Sequence, residues 1–187
     1  MNEGDVCRCV SGSIGVICGP MCSGKTQHLI SKLRRAEIAG IPVFVFKPGR
    51  GRQQKEEEIV SRQGCTMQAY TLINNSALEA VEVVLGKKQR CAIGFDEAHW
   101  ITDLRKGCEN LVAKGHLVYV AGLDMDWQGI PYSEICMTMG VAETVEKLTA
   151  VSVKCGCPAT HTYRVGDGED AGGTWEPRCR YRWQCKK

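Results

Sequence analysis

The sequence predicts an α/β fold, a parallel sheet flanked by helices, with a small appendage towards the C-terminus. Three observations lead there. Short apolar runs alternate with segments whose apolar residues keep helical spacing, the pattern of strands joined by right-handed crossovers. A glycine-rich turn separates the first apolar run from the first helical segment. A later apolar run ends directly on two adjacent carboxylates, Asp96 and Glu97.

Taken in order, Ser13 to Cys18 is an apolar run stopped by Gly19 and predicts a buried strand. From Lys25 to Ala39 the residues Leu29, Ile30, Leu33, Ala36 and Ile38 keep helical spacing, with Gly40 as the stop signal. Val43 to Phe46 predicts a second strand, ended by Lys47-Pro48-Gly49. The polar, charged and glycine-rich stretch from Gly49 to Gly64 predicts a mobile loop. Thr66 to Leu72 reads as a strand, Ser76 to Leu85 as a helix ended by Gly86, and Cys91 to Phe95 as a strand. Asp103 to Ala113 reads as a helix and Leu117 to Ala121 as another buried strand. Beyond Leu148-Thr149-Ala150-Val151 the character changes to cysteines, glycines and arginines without a helical period. The expected organisation is a tail over 1–12, an α/β domain over 13–151 and a loop-rich or metal-stapled subdomain over 152–187.

Size and charge narrow the function. A chain of 187 residues holds one sizeable core. With 43% hydrophobic and 24% charged residues it has the composition of a soluble globular protein. A net charge of +3 is too mild for a nucleic-acid footprint and suits a small anionic ligand. No apolar stretch approaches a membrane span, and the polar, acid-bearing start is unlike a signal or transit peptide, so the cytoplasm is the expected location. There, most of the twelve cysteines would be reduced thiols acting as small hydrophobes. Cys155, Cys157, Cys179 and Cys185 stand apart as a cluster.

Gly19-Pro20-Met21-Cys22-Ser23-Gly24-Lys25-Thr26 fits the phosphate-binding pattern G-x-x-x-x-G-K-[ST] between a strand and a helix. Its glycines let backbone N–H groups turn towards phosphate oxygens, and the helix N-terminus adds partial positive charge. Lys25 would meet the β- and γ-phosphates of ATP, and the Thr26 hydroxyl would hold Mg²⁺. Asp96, first after an apolar strand, is the second expected Mg²⁺ residue. Glu97 points elsewhere and is the candidate general base. The fold class is therefore a P-loop NTPase-like, RecA-like sheet.

Asp96-Glu97-Ala98-His99 is also the DEAH string of a helicase group, but such helicases need two motor domains and this chain has room for one. The fuller resemblance, from about Ser13 to Cys185, is to the cellular (type II) thymidine kinase family. GPMCSGKT resembles that family's GPMFSGKS/T, FDEAHW its IDEAQFF, and Leu123-Asp124-Met125-Asp126-Trp127 its L-D-G-T-F. Lys147 to Val151 reproduces its KLTAV. Cys155-Gly156-Cys157-Pro158-Ala159 resembles its C-G-x-P-A, and Gly172-Gly173 with a following aromatic and Cys179-Arg180 resembles its lasso loop.

That resemblance implies transfer of the γ-phosphate of ATP to the 5′-hydroxyl of a deoxynucleoside, thymidine first, with Glu97 as base. It implies a base slot at Met21, Trp100, Leu123, Trp127, Tyr132 and Trp175, with lasso backbone at Gly172 and Gly173 reading the polar edge of the base. It also implies a homotetramer and a structural zinc. The zinc pattern is altered here, because Ser152 and Arg182 occupy two of the four ligand positions. A rewired site of Cys155, Cys157, Cys179 and Cys185 is the expectation. The aspartate of the family's K-P-x-x-D-x-R is missing from Lys47 to Arg52, and Arg62 replaces the histidine of its S-H-x-G. These departures keep open an ATP-binding regulatory module without kinase activity, and the DEAH string keeps open a nucleic-acid-dependent ATPase.

Overall fold

The structure is a computed structural model that describes residues 11–49, 57–84, 86–87, 89–165 and 174–179. The chain opens with β1 (Ser13–Cys18), α1 (Lys25–Ile38) and β2 (Val43–Pro48). Then come the short strands β3 (Glu58–Val60), β4 (Thr66–Gln68) and β5 (Tyr70–Leu72), and helix α2 (Ala77–Val84). β6 (Ala92–Phe95) leads through a single 3-10 turn at Ala98–Trp100 to α3 (Leu104–Val112) and β7 (Leu117–Gly122). Helix α4 (Ser133–Val141) and β8 (Thr144–Lys147) complete the large sheet.

That sheet has six strands in the order β5-β2-β6-β7-β1-β8, and every pairing in it is parallel. Its central strands are apolar on both faces, as a sheet covered by helices on both sides requires. Neighbouring residues face opposite cores. Ile17, Val45, Ala92 and Ala121 pack with Leu29, Ile30 and Leu33 of α1. Val16, Phe46, Ile93 and Val120 pack with residues of α2, α3 and α4, among them Ala77, Leu104 and Ile135. No helix among the described residues is long and apolar enough to cross a membrane.

Two sequence expectations need correction. The stretch expected as a loop from Gly49 to Gly64 contains β3, which pairs antiparallel with β4 and buries Ile59 completely. Lys47 fixes this hairpin by donating from Nζ to the Glu58 carbonyl at 2.9 Å. The single strand expected over Thr66 to Leu72 is two, broken at Ala69, whose N–H turns to the Glu57 carbonyl at 2.8 Å. β4 therefore serves the hairpin while β5 joins the edge of the large sheet.

After the sheet come β9 (Ala150–Val151) and β10 (Pro158–Ala159), paired antiparallel, then β11 (His161–Val165) and β12 (Thr174–Arg178), also antiparallel. β12 packs against β9 and β10. The Sγ atoms of Cys155 and Cys179 lie 3.7 Å apart, with the Ser152 hydroxyl 3.3 Å from Cys155 Sγ.

Candidate active site

The phosphate-binding sequence sits where β1 hands over to α1. Gly19 has φ +143°, and a Cβ there would lie 2.4 Å from the Leu148 carbonyl oxygen, so only glycine lets the loop pass the segment that follows β8. The Leu148 N–H donates to the Cys18 carbonyl at 2.8 Å and holds the two segments together. Gly24, at φ 85°, caps α1 in the left-handed region. No side chain caps that end and the first turn carries no acid, so the positive end of the helix dipole faces the loop. Lys25 donates from Nζ to the Pro20 carbonyl at 2.7 Å, Ser23 Oγ donates to the same oxygen at 2.8 Å, and Met21 N–H donates to Thr162 Oγ1 at 3.1 Å. Burial lowers the Lys25 pKa, while the charges of Glu97, Asp96 and Asp124 pull it back up.

Asp96 is the first residue after β6, and its N–H donates to the Phe46 carbonyl at 2.9 Å. Its carboxylate is buried and receives the Thr26 hydroxyl at 3.1 and 3.2 Å, one distance to each oxygen. Burial first, and the charge of Glu97 second, push the Asp96 carboxyl up to about 7. Two hard oxygen donors meeting at the end of a phosphate loop, one of them a buried carboxylate, suit a small divalent cation such as Mg²⁺.

Glu97 adopts φ 48° and ψ 36°, a conformation that costs a non-glycine residue energy and is found where function demands a side-chain direction. The surrounding protein pushes its carboxyl above the ordinary carboxylate range. About half of the side chain, 51%, is open to solvent, and water there screens the shift. His99, almost wholly buried, brings Nε2 to 3.5 Å from Glu97 Oε2, and its Nδ1 accepts the Leu123 N–H at 3.3 Å. Burial, reinforced by the Lys25 charge, lowers the His99 pKa to about 3.

The expected base-slot residues fall into two groups. His99 stands between Tyr132 and Trp100, at ring distances of 4.9 and 5.2 Å, and those two rings meet nearly edge-on at 6.0 Å. Trp127 and Trp175 meet through Arg164, whose guanidinium lies 5.8 Å from each ring. This stack ties the loop after β7 to the β11–β12 hairpin, where Arg164 and Trp175 are register partners. Leu123 is half-buried beside His99, Met21 is half-buried in the phosphate loop, and Trp100 is exposed. Gly172, Gly173 and Cys185 lie outside the described residues. Among the described residues no three His, Cys, Asp or Glu gather to hold a metal, and the expected set of Cys155, Cys157, Cys179 and Cys185 extends outside those residues.

Sequence reasoning gave no role to four residues that the fold brings to this end of the sheet. His99 and Asp124 sat inside quoted motifs, as did Lys147, but only as letters of a string. Lys147 pairs with buried Asp124 at 2.7 Å and ties the ends of β8 and β7 across β1. Thr162, which receives Met21 N–H, carried no sequence signal.

Comparison with known proteins agrees with this geometry. The family described as Thymidine kinase matches residues 12–183. A thymidine kinase of Rhodothermus sp. (strain ITI 518) is 39% identical over 182 residues, covering 92% of this chain and 83% of that protein.

Proposed function

The chain belongs to the thymidine kinase family, and from that membership we propose that it transfers the γ-phosphoryl group of ATP to the 5′-hydroxyl of a deoxynucleoside, thymidine before others. The observation that carries this reading is the meeting of Thr26 and Asp96 at the end of the phosphate loop, with Glu97 next in the chain. The loop from Gly19 to Thr26 (Gly19, Pro20, Met21, Cys22, Ser23, Gly24, Lys25, Thr26) holds the phosphates through N–H groups and Lys25. Thr26 and Asp96 would hold Mg²⁺, which when bound would neutralise charge on the phosphate oxygens. Glu97 accepts the proton of the 5′-hydroxyl as its oxygen bonds to the γ-phosphorus. The bond from that phosphorus to the β,γ-bridging oxygen breaks, and ADP leaves.

Base recognition falls to Met21, Trp100, Leu123, Trp127, Tyr132 and Trp175, with lasso backbone at Gly172 and Gly173. Aromatic faces suit a flat base, and unpaired polar groups in such a site penalise the wrong one. The Glu97 carboxylate argues against a kinase-inactive module, and membership in the family argues against a DEAH-type ATPase.

The 3.7 Å between Cys155 and Cys179 sulfurs matches two thiolates on one tetrahedral zinc, where Zn–S bonds of about 2.3 Å set sulfurs roughly 3.8 Å apart. Cys155 and Cys179 would supply two ligands, with Cys157 and Cys185 as the other two. We also infer a homo-oligomer, a tetramer on the family pattern. Its support is the exposure of Met137 on α4 and Val145 on the edge strand β8.

The test is ADP release with Mg²⁺ and ATP against a panel of deoxynucleosides, for wild type and Glu97→Gln. Thymidine-dependent release with dTMP as product, falling roughly 100- to 10,000-fold in the variant, is expected. Nucleoside-independent hydrolysis, or full activity in Glu97→Gln, would overturn the reading.

A further inference from the structure

We propose that His99 is a positioning residue that aims the Glu97 carboxylate at the substrate hydroxyl by donating from Nε2 to Oε2. The inference rests on Glu97 being the general base. The ring has one possible protonation pattern. A backbone N–H can only donate, and Leu123 N–H points at Nδ1 at 3.3 Å, so Nδ1 carries no proton. The neutral imidazole must then carry its proton on Nε2, the atom 3.5 Å from Glu97 Oε2. At 3.5 Å the pair is longer than a formed hydrogen bond, and such catalytic contacts tighten in the reacting complex.

The ring is held as a fixed strut. Its side chain is 2% exposed, and Tyr132 and Trp100 lie against it. The backbone that carries it is seated by Gly122 at the end of β7, where a Cβ would come within 3.1 Å of His99 N. The direction of Glu97, by contrast, is set by a strained backbone and by a carboxylate half open to solvent. A carboxylate that can swing serves poorly as a base, because productive geometry is worth orders of magnitude in rate. Binding Oε2 to a rigid donor leaves Oε1 to take the 5′-hydroxyl proton. The same ring touches two aromatics of the expected base slot, so the slot and the base share one support.

The experiment is a double-mutant cycle on the full chain. His99→Phe and His99→Leu keep an apolar filler but remove both ring nitrogens. His99→Gln can accept from Leu123 through its carbonyl and donate to Glu97 through its amide. Thermal melting with and without ATP checks that each variant folds. The expected result is a loss of about 10- to 100-fold in kcat for Phe and Leu, with the thymidine KM changed less than about threefold. Gln should restore kcat to within about threefold of wild type, and in a Glu97→Gln background the Phe change should cost less than about twofold. If Glu97→Gln is inactive while His99→Phe and His99→Leu turn over normally, the inference falls and the base assignment stands. If Glu97→Gln is fully active, both fall. Equal losses in the two backgrounds, or no recovery with Gln, reduce His99 to a packing residue and overturn the proposal.

Discussion

Burial holds the Asp96 carboxyl near 7, and the neighbouring Glu97 pushes it the same way. An unfolded aspartate titrates at about 3.9. The folded pKa is therefore the higher, so this group's contribution to stability is full below about pH 4 and lost as pH rises through about 7. At pH 8 the metal-free protein carries a buried anion, which the Thr26 hydroxyl, the Glu97 backbone N–H and the Lys25 charge offset only in part. Asp96→Asn should then melt a few degrees higher than wild type at pH 8 without metal, and the advantage should shrink at pH 5. Added Mg²⁺ should raise the wild-type melting temperature and leave Asp96→Asn unmoved, because a ligand stabilises only the state that binds it. Kinase activity should fall at least about 100-fold, since the metal loses its carboxylate. Calorimetry at the two pH values checks this, and an unstabilised Asn variant at pH 8 would show that the buried charge is already balanced. At this scale the phosphate loop was legible, because Gly19, Gly24, Lys25 and Thr26 do their work in consecutive positions. His99 was not, because its role is made by the backbone of Leu123, and Thr162 was not, because its partner is Met21.

Helices and strands meet where glycines leave room, and the neighbours decide how costly a methyl group is there. A Cβ on Gly107 of α3 would lie 2.6 Å from Ala77 Cβ and 3.1 Å from the Ala77 carbonyl carbon and oxygen, so α3 and α2 would have to part. A Cβ on Gly94 of β6 would lie 2.6 Å from Leu33 Cδ1, the end of a side chain that can turn away. Overpacking costs about 1–3 kcal/mol, while replacing a helical glycine by alanine returns up to about 1 kcal/mol. Gly107→Ala should thus lower the urea midpoint clearly and Gly94→Ala only slightly; the reverse order would mean that the α2–α3 contact is the softer one. The same contrast explains which elements could be read beforehand. β1, β2, β6 and β7 are buried and therefore apolar runs. β8, with the sequence Thr144-Val145-Glu146-Lys147, pairs on one side only and is largely exposed, so no apolar run betrayed it. Helix α4 is apolar and polar all round, which removed the helical period that revealed α1.

For the molecule as a whole, parallel pairing and the α/β class followed from alternation of elements, but the strand order did not, since nothing in a strand's composition says which other strand it will sit beside. The appendage follows different rules. β9 to β12 are short and have little core of their own, so a metal held by Cys155 and Cys179 would contribute much of the appendage's stability. Zinc analysis of protein purified under mild conditions should give about one zinc per chain, lost in Cys179→Ser. A chelator should loosen Trp175 and its hairpin, seen as a change in tryptophan emission, while the sheet's circular dichroism persists. Protein free of zinc but with an unchanged appendage would remove the metal from the account. The strand order has a further consequence during synthesis. β1 is the first strand made, yet its neighbours β7 and β8 are the last two of the six sheet strands, and Leu148, which pins Cys18, follows them. A nascent chain paused after α3 already contains every letter of the phosphate loop and has nowhere to seat it, so ATP can assist folding only once translation has passed Leu148.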